Sequence, residues 1–160
     1  MKKPGTTWNL LFVCTGNTCR SPMAAAIARG ALRERGWTHV DVQSAGVAAA
    51  PGHAASELAV AVTDERALDL RAHESQPVTP ELIEWADLVL AMGPSHLQAV
   101  AGMGAGEKAS LLTSFLEGEG AGEAVADPFG GDQASYREAF EQIERAVHAL
   151  LDRLEPILSP

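Results

Sequence analysis

The sequence is poor in cysteine: there are two in 160 residues, Cys14 and Cys19, and they lie a few positions apart. So close a pair is not a disulfide framework, and no second Cys or His pair stands ready to complete a zinc site. The five histidines (His39, His53, His73, His96 and His148) are scattered without ligand spacing, so neither a metal nor a cofactor is expected. Positive charge is also scarce. Twelve Lys and Arg against 21 Asp and Glu leave a formal net charge of −9, which argues against nucleic acid or an anionic membrane as partner, since both need a basic face. No apolar run is long enough to span a bilayer. Met1-Lys2-Lys3 ahead of an apolar run has the look of a leader, but the run is short and Pro4-Gly5 interrupts its approach. The chain is therefore read as cytoplasmic. With no internal repeat and no linker, it is read as one domain over residues 1–160.

Apolar runs alternate with helical patterns along the chain. Leu10 to Val13 reads as a buried strand, and Val40 and Val42 alternate into a second that ends at Gly46. Leu88 to Met92 and Ser110 to Leu112 supply a third and a fourth. Between them, helices are expected from Pro22, over about Ala54 to Leu68, from Thr79-Pro80 through Trp85, and from Pro94. Ser135-Tyr-Arg-Glu138 reads as a capping box opening a final helix. Tyr136, Phe140, Ile143, Val147, Leu150 and Leu154 mark one face of that helix, which is expected to end near Pro156. This alternation predicts an α/β fold, a three-layer sandwich in which a four-stranded parallel sheet carries helices on both faces. Glu117 to Gly131 is the longest stretch without a period, and such loops are usually functional or disordered.

The most informative segment is Cys14-Thr-Gly-Asn-Thr-Cys-Arg20-Ser21-Pro22, which follows the first strand directly. Ser21 is a good N-cap and Pro22 suits the first helical position, so strand, loop and helix succeed one another at once. A helix start of this kind offers unpaired N–H groups and the positive end of the dipole to an anion in the loop. Arg20 can fork onto two phosphoryl oxygens, and the same field favours the thiolate of Cys14. Gly16 and Asn17 tolerate the backbone angles that a tight cradle demands. The loop is thus read as a nucleophile joined to the binding site of its electrophile. A nucleotide-binding P-loop is excluded, because no Gly-x4-Gly-Lys-Ser/Thr is present.

Cys-x5-Arg-Ser-Pro close to the N-terminus resembles the low-molecular-weight protein tyrosine phosphatases. Ser44-Ala45-Gly46 looks like that family's Ser-Ala-Gly turn, Leu88-Val89-Leu90-Ala91-Met92 like its third strand, and Asp127-Pro128-Phe129-Gly130 like its acid loop. The resemblance covers nearly the whole chain. It implies that Cys14 attacks phosphorus to form a phosphocysteine, that Arg20 binds phosphate, and that Asp127 serves as general acid and then base. Thr15, Gly16, Asn17, Thr18, Cys19 and Phe129 are assigned to phosphate and substrate binding. Asn17, Ser21, Ser44 and His73 form the supporting network that the resemblance implies. Ala25 departs from the pattern, since members often carry Glu there. Cys19 keeps two readings: a reversible disulfide partner of Cys14, or a small buried residue packed behind the loop.

Thr18 and Phe129-Gly130-Gly131 stand where tyrosine-specific members commonly carry an aliphatic residue and tyrosines. In these features the chain looks like the bacterial protein arginine phosphatase branch. A polar, β-branched Thr18 narrows one wall and offers a hydroxyl to a guanidinium or to water, whereas a flat aryl group gains more from an apolar wall. The expected partners are a phosphorylated protein as substrate and inorganic phosphate as product and inhibitor, and the expected state is a monomer. Tyrosine phosphatase activity is the alternative. A non-catalytic phosphoprotein-binding module is disfavoured, because pure binding needs neither thiolate nor acid. An arsenate reductase would need further redox cysteines downstream, and there are none.

Overall fold

The computed structural model describes residues 7–158; Met1-Lys2-Lys3 and Pro4-Gly5 lie outside them. Four parallel strands, β1 (Trp8–Cys14), β2 (Val40–Gly46), β3 (Leu88–Ala91) and β4 (Ala109–Leu111), form one sheet in the order β2-β1-β3-β4. β1 pairs with β2 over its whole length, from Trp8 opposite Val40 to Cys14 opposite Gly46, and with β3 from Leu10 opposite Leu88 to Val13 opposite Ala91. The chain leaves β1 toward β2 on one side and only later returns to β3 on the other. The carboxyl end of β1 is therefore a topological switch point, the place where open parallel sheets bind ligands. Cys14 is the last residue of that strand.

Side chains alternate along β1 and feed two cores. Leu10 and Phe12 pack with Val42 and Leu90 under α1 (Arg20–Arg35) and α5 (Gln133–Leu158). Leu11 and Val13 pack with Val89, Ile83 and Val100 under α3 (Pro80–Trp85) and α4 (Pro94–Gly102). α2 (Glu57–Asp64) joins the first of these layers through Ala59 and Val62. The sheet is thus covered on both faces, as the alternation predicts.

Several boundaries differ from expectation, each for a local reason. The helix expected over Ala54 to Leu68 spans only Glu57–Asp64. Ser56 caps its start by accepting from the Ala59 N–H, and Ala67, at φ 59°, turns the chain out of the helix. There the Leu68 N–H closes onto the Thr63 carbonyl, which also accepts the Arg66 N–H, so two bonds end the last turn. α5 begins before the expected capping box. Asp132 is the residue that caps it, its Oδ1 accepting from both the Ser135 N–H (2.9 Å) and the Ser135 hydroxyl (3.0 Å). α5 also passes through Pro156 to Leu158. A proline in the last turn forfeits one hydrogen bond, and the fully buried Leu158 draws that turn onto the core. β3 stops one residue earlier than expected, and β4 starts one residue earlier.

Candidate active site

The loop after β1 curls beneath the first turn of α1. The N-cap of that helix is Cys19, not Ser21, and no side chain caps it. Ser21 lies inside the first turn because its hydroxyl is engaged elsewhere, 2.9 Å from Cys14 Sγ and 2.8 Å from Asn17 Nδ2. With no side-chain cap and no acidic residue in that turn, the helix start retains its attraction for an anion.

Asn17 holds the loop's shape from inside. It is fully buried at φ 56°, and its Oδ1 accepts the Gln76 N–H at 3.0 Å. A backbone N–H can only donate, so this bond fixes which end of the amide is oxygen. Nδ2 then donates to Ser21 Oγ at 2.8 Å and to Ser44 Oγ at 2.9 Å. The Asn17 carbonyl accepts from His73 Nε2 at 2.7 Å, which sets the His73 tautomer with its proton on Nε2. Burial, the largest cause, holds His73 below the ordinary histidine range, with the bond to Asn17 opposing it. Because Ser21 receives the Asn17 proton, its own hydroxyl hydrogen has two acceptors within reach, Cys14 Sγ at 2.9 Å and the Ala45 carbonyl at 3.4 Å. The structure thus brings Asn17, Ser21, Ser44 and His73 together behind Cys14. Gln76, which sequence reasoning missed, completes the set. Its segment runs beside the end of β2, with Gly46 N–H bonded to the Gln76 carbonyl and Val78 N–H to the Gly46 carbonyl.

Cys14, Thr15, Gly16, Thr18, Cys19, Arg20, Asp127 and Phe129 line a cleft of about 200 Å3. Arg20, its side chain only 8% exposed, donates to the Val125 carbonyl at 3.1 Å and lies 3.5 Å from both Asp127 Oδ2 and Thr15 Oγ1. Asp127 itself is 53% exposed. The loop that carries it is moored to the sheet by the Val125 N–H, which donates to the Met92 carbonyl at 2.8 Å. Asp127 Oδ1 also accepts the Phe129 N–H at 3.1 Å, and Gly130 at φ 82° lets the Gly131 N–H close onto the Pro128 carbonyl at 2.8 Å. This turn leaves Phe129 at the mouth of the cleft, 73% exposed.

Cys19 is a free thiol packed behind the loop, with Sγ 3.4 Å from both Ser56 Oγ and Tyr136 Oη. The Ser56 N–H meanwhile donates to the Thr18 carbonyl at 2.9 Å, tying the start of α2 to the cleft wall. Two further participants, Tyr136 and His96, were not legible in the sequence. Tyr136 reads as one member of an apolar stripe, and His96 as one histidine among five. A wider groove of about 310 Å3, lined by Arg29, Gln43, Ser44, Asp69, His73 and Gln76 among others, lies behind the loop; it shares Ser44, His73 and Gln76 with the supporting network but is lined by neither Cys14, Arg20 nor Asp127.

A buried thiol at a switch point, an uncapped helix start, an enclosed arginine and a carboxylate facing them define a phosphoryl-transfer site of the cysteine-dependent kind. The model of the low molecular weight phosphotyrosine protein phosphatase family matches residues 9–157, and the chain belongs to that family. The protein-arginine-phosphatase of Bacillus subtilis (strain 168) is 40% identical over 147 residues, covering 92% of this chain and 97% of the relative. A probable low molecular weight protein-tyrosine-phosphatase, EpsP of Ralstonia nicotianae, is 34% identical over 148 residues, again covering 92% and 97%. Among solved structures, a YwlE arginine phosphatase mutant with a phosphorylated active-site serine superposes with a TM-score of 0.85 at 38% identity, covering 93% of this chain and 97% of that one. The chain is thus a cysteine-dependent low-molecular-weight protein phosphatase, acting on phosphoproteins. Among the described residues no helix is long and apolar enough to cross a membrane.

Proposed function

We propose that this phosphatase hydrolyses phosphoarginine in proteins through a phosphocysteine intermediate. The observation that carries the reading is the cleft wall: Thr18 and Phe129 line the same small cavity as Cys14, Arg20 and Asp127. The 40% identity to a protein-arginine-phosphatase supports it. In the first step the Cys14 thiolate attacks phosphorus in line, a P–S bond forms and the P–N bond breaks. Asp127 passes its proton to the departing nitrogen. In the second step Asp127 takes a proton from water, the water oxygen bonds to phosphorus, the P–S bond breaks, and inorganic phosphate leaves. Loop N–H groups and Arg20 stabilise the equatorial oxygens in both steps, so the catalysis is positioning and electrostatics. Arg20 exchanges its contact with Asp127 for the phosphoryl group, which leaves Asp127 to face the leaving group. Asn17, Ser21, Ser44 and His73 hold the loop that carries Cys14 in this geometry.

A phosphotyrosine specificity is the second reading, favoured by the tyrosine-phosphatase relative at 34% identity. Initial rates on matched phosphoarginine and phosphotyrosine peptides, with Cys14→Ser as blank, separate the two. A kcat/KM preference for phosphoarginine that falls in Thr18→Ile supports the arginine reading; a phosphotyrosine preference indifferent to Thr18→Ile overturns it. The reading includes one domain over residues 1–160, a monomer, inhibition by inorganic phosphate, and a cytoplasmic setting that keeps the thiol reduced.

A further inference from the structure

His96 has no part in the mechanism above, yet it is built into the site. It stands in the first turn of α4, 4% exposed, with Nε2 2.8 Å from Thr15 Oγ1. Its Nδ1 is buried and has no hydrogen-bond partner among the described residues. Thr15 follows the nucleophile directly, and its hydroxyl is also 3.5 Å from Arg20 Nη2. The other two contacts of the Arg20 guanidinium, Val125 and Asp127, both come from the acid loop. Thr15 is thus the contact that ties Arg20 to the phosphate loop itself.

The direction of these bonds follows from what each group can donate. A guanidinium only donates, so Thr15 Oγ1 receives from Arg20. The one hydroxyl hydrogen of Thr15 can then go to His96, with Nε2 as acceptor and the ring proton on Nδ1. That requires a neutral imidazole. The charged groups acting on His96 are Arg20, which opposes a second positive charge, and Asp127, which favours one; burial opposes it most and outweighs Asp127.

We propose that His96 is a positioning residue of the phosphatase, which as a neutral acceptor aims the Thr15 hydroxyl so that Thr15 holds Arg20 to the phosphate loop. Protonation reverses the bond. An imidazolium donates to Thr15 Oγ1, the hydroxyl hydrogen loses its acceptor, and a second positive charge stands beside Arg20. The Thr15–His96 pair matters most when the bound phosphoryl group draws Arg20 away from Asp127. The inference rests on the Cys14 loop being the reacting centre.

The test is steady-state kinetics on an aryl phosphate, with inhibition by inorganic phosphate, from about pH 5 to about pH 8. His96→Ala and Thr15→Val are each expected to lower kcat/KM about tenfold and to weaken phosphate inhibition alongside, the scale of one lost hydrogen bond. The double variant is expected to be no worse than either single one. Thr15→Ser keeps the hydroxyl and His96→Gln offers an amide oxygen, so both are expected to recover most of the loss at neutral pH. Wild type should show a loss of kcat/KM below about pH 6.5 that His96→Gln lacks. Additive losses in the double variant, or the same acid limb in wild type and His96→Gln, overturn the proposal, as does lowered thermal stability with kinetics intact. Should His96→Ala fail to fold, Thr15→Val, at an exposed residue, carries the test alone. Turnover surviving in Cys14→Ser would instead refute the reacting centre. Full dependence on Cys14 with unaffected His96 and Thr15 variants would refute only the role of His96.

Discussion

Asn17 Oδ1 accepts the backbone N–H of Gln76 at 3.0 Å, a bond across 59 positions that joins the phosphate loop to the segment beside β2. Asn17 thus serves both as a left-handed turn residue and as the hub of a buried network.

The two roles separate by substitution. Asn17→Gly preserves the backbone angle but leaves buried donors and acceptors without partners, and is expected to cost roughly 1–3 kcal/mol of stability. Asn17→Ala adds backbone strain at φ 56° to the same loss and is expected to be the worse of the two. Denaturant unfolding of both variants checks the order; equal stability would mean that the network alone matters.

Gly46 is expected to accept no side chain. A Cβ there would overlap the Thr15 carbonyl oxygen and come 2.9 Å from the Asn17 N. Both atoms are loop backbone and neither can swing aside. Gly46→Ala is therefore expected to lower phosphatase kcat/KM by at least a hundredfold by displacing the cradle, a small misplacement of reacting groups being enough for that. Rates on an aryl phosphate, set beside phosphate inhibition constants, check this: both should deteriorate together.

Replacing Asp127 should show whether the leaving group draws its proton from there. Asp127→Asn is expected to lower kcat by roughly a hundredfold to ten-thousandfold on a substrate whose leaving group needs a proton. The loss should shrink for an electron-poor aryl phosphate, which departs without help. A loss equal for both substrates would place the role of Asp127 in its contact with Arg20.

Stability should fall on mild acidification. His73 and His96 are both held below the ordinary histidine range, chiefly by burial. The unfolded chain takes up protons first as pH drops past about 6.5, so the folded state loses stability through the window below that value and recovers it fully above. Unfolding midpoints at about pH 7 and about pH 5.5 should differ less in His73→Gln and in His96→Gln than in wild type. A midpoint independent of pH in wild type would contradict the assignment.

Local patterns carried much of this protein. The run Leu10 to Val13, the spacing from Cys14 to Arg20 and the pair Asp127-Pro128 are short-range features, and each kept its meaning in the fold: buried strand, loop and helix start, turn at the cleft. Where local signals competed, tertiary contacts decided. Ser21 has the chemistry of a cap, but its hydroxyl is taken by Cys14 and Asn17. Ser135 has the same chemistry, but Asp132 reaches its N–H first.

Composition and periodicity by themselves determined an α/β chain without a disulfide framework, and the loop after the first strand supplied a thiol and an arginine spaced for phosphoryl transfer, because strand and helix periods and the chemistry of a side chain are properties of neighbouring residues; the carboxylate was marked only by the family resemblance. Only the tertiary structure decided which distant groups surround that thiol. Gln76, His96, Tyr136 and Ser56 carry no local signal. They meet the loop because the parallel sheet delivers the ends of β2 and β3 to the place where β1 ends, and a buried polar group takes its partner from whichever chain lies within hydrogen-bond reach.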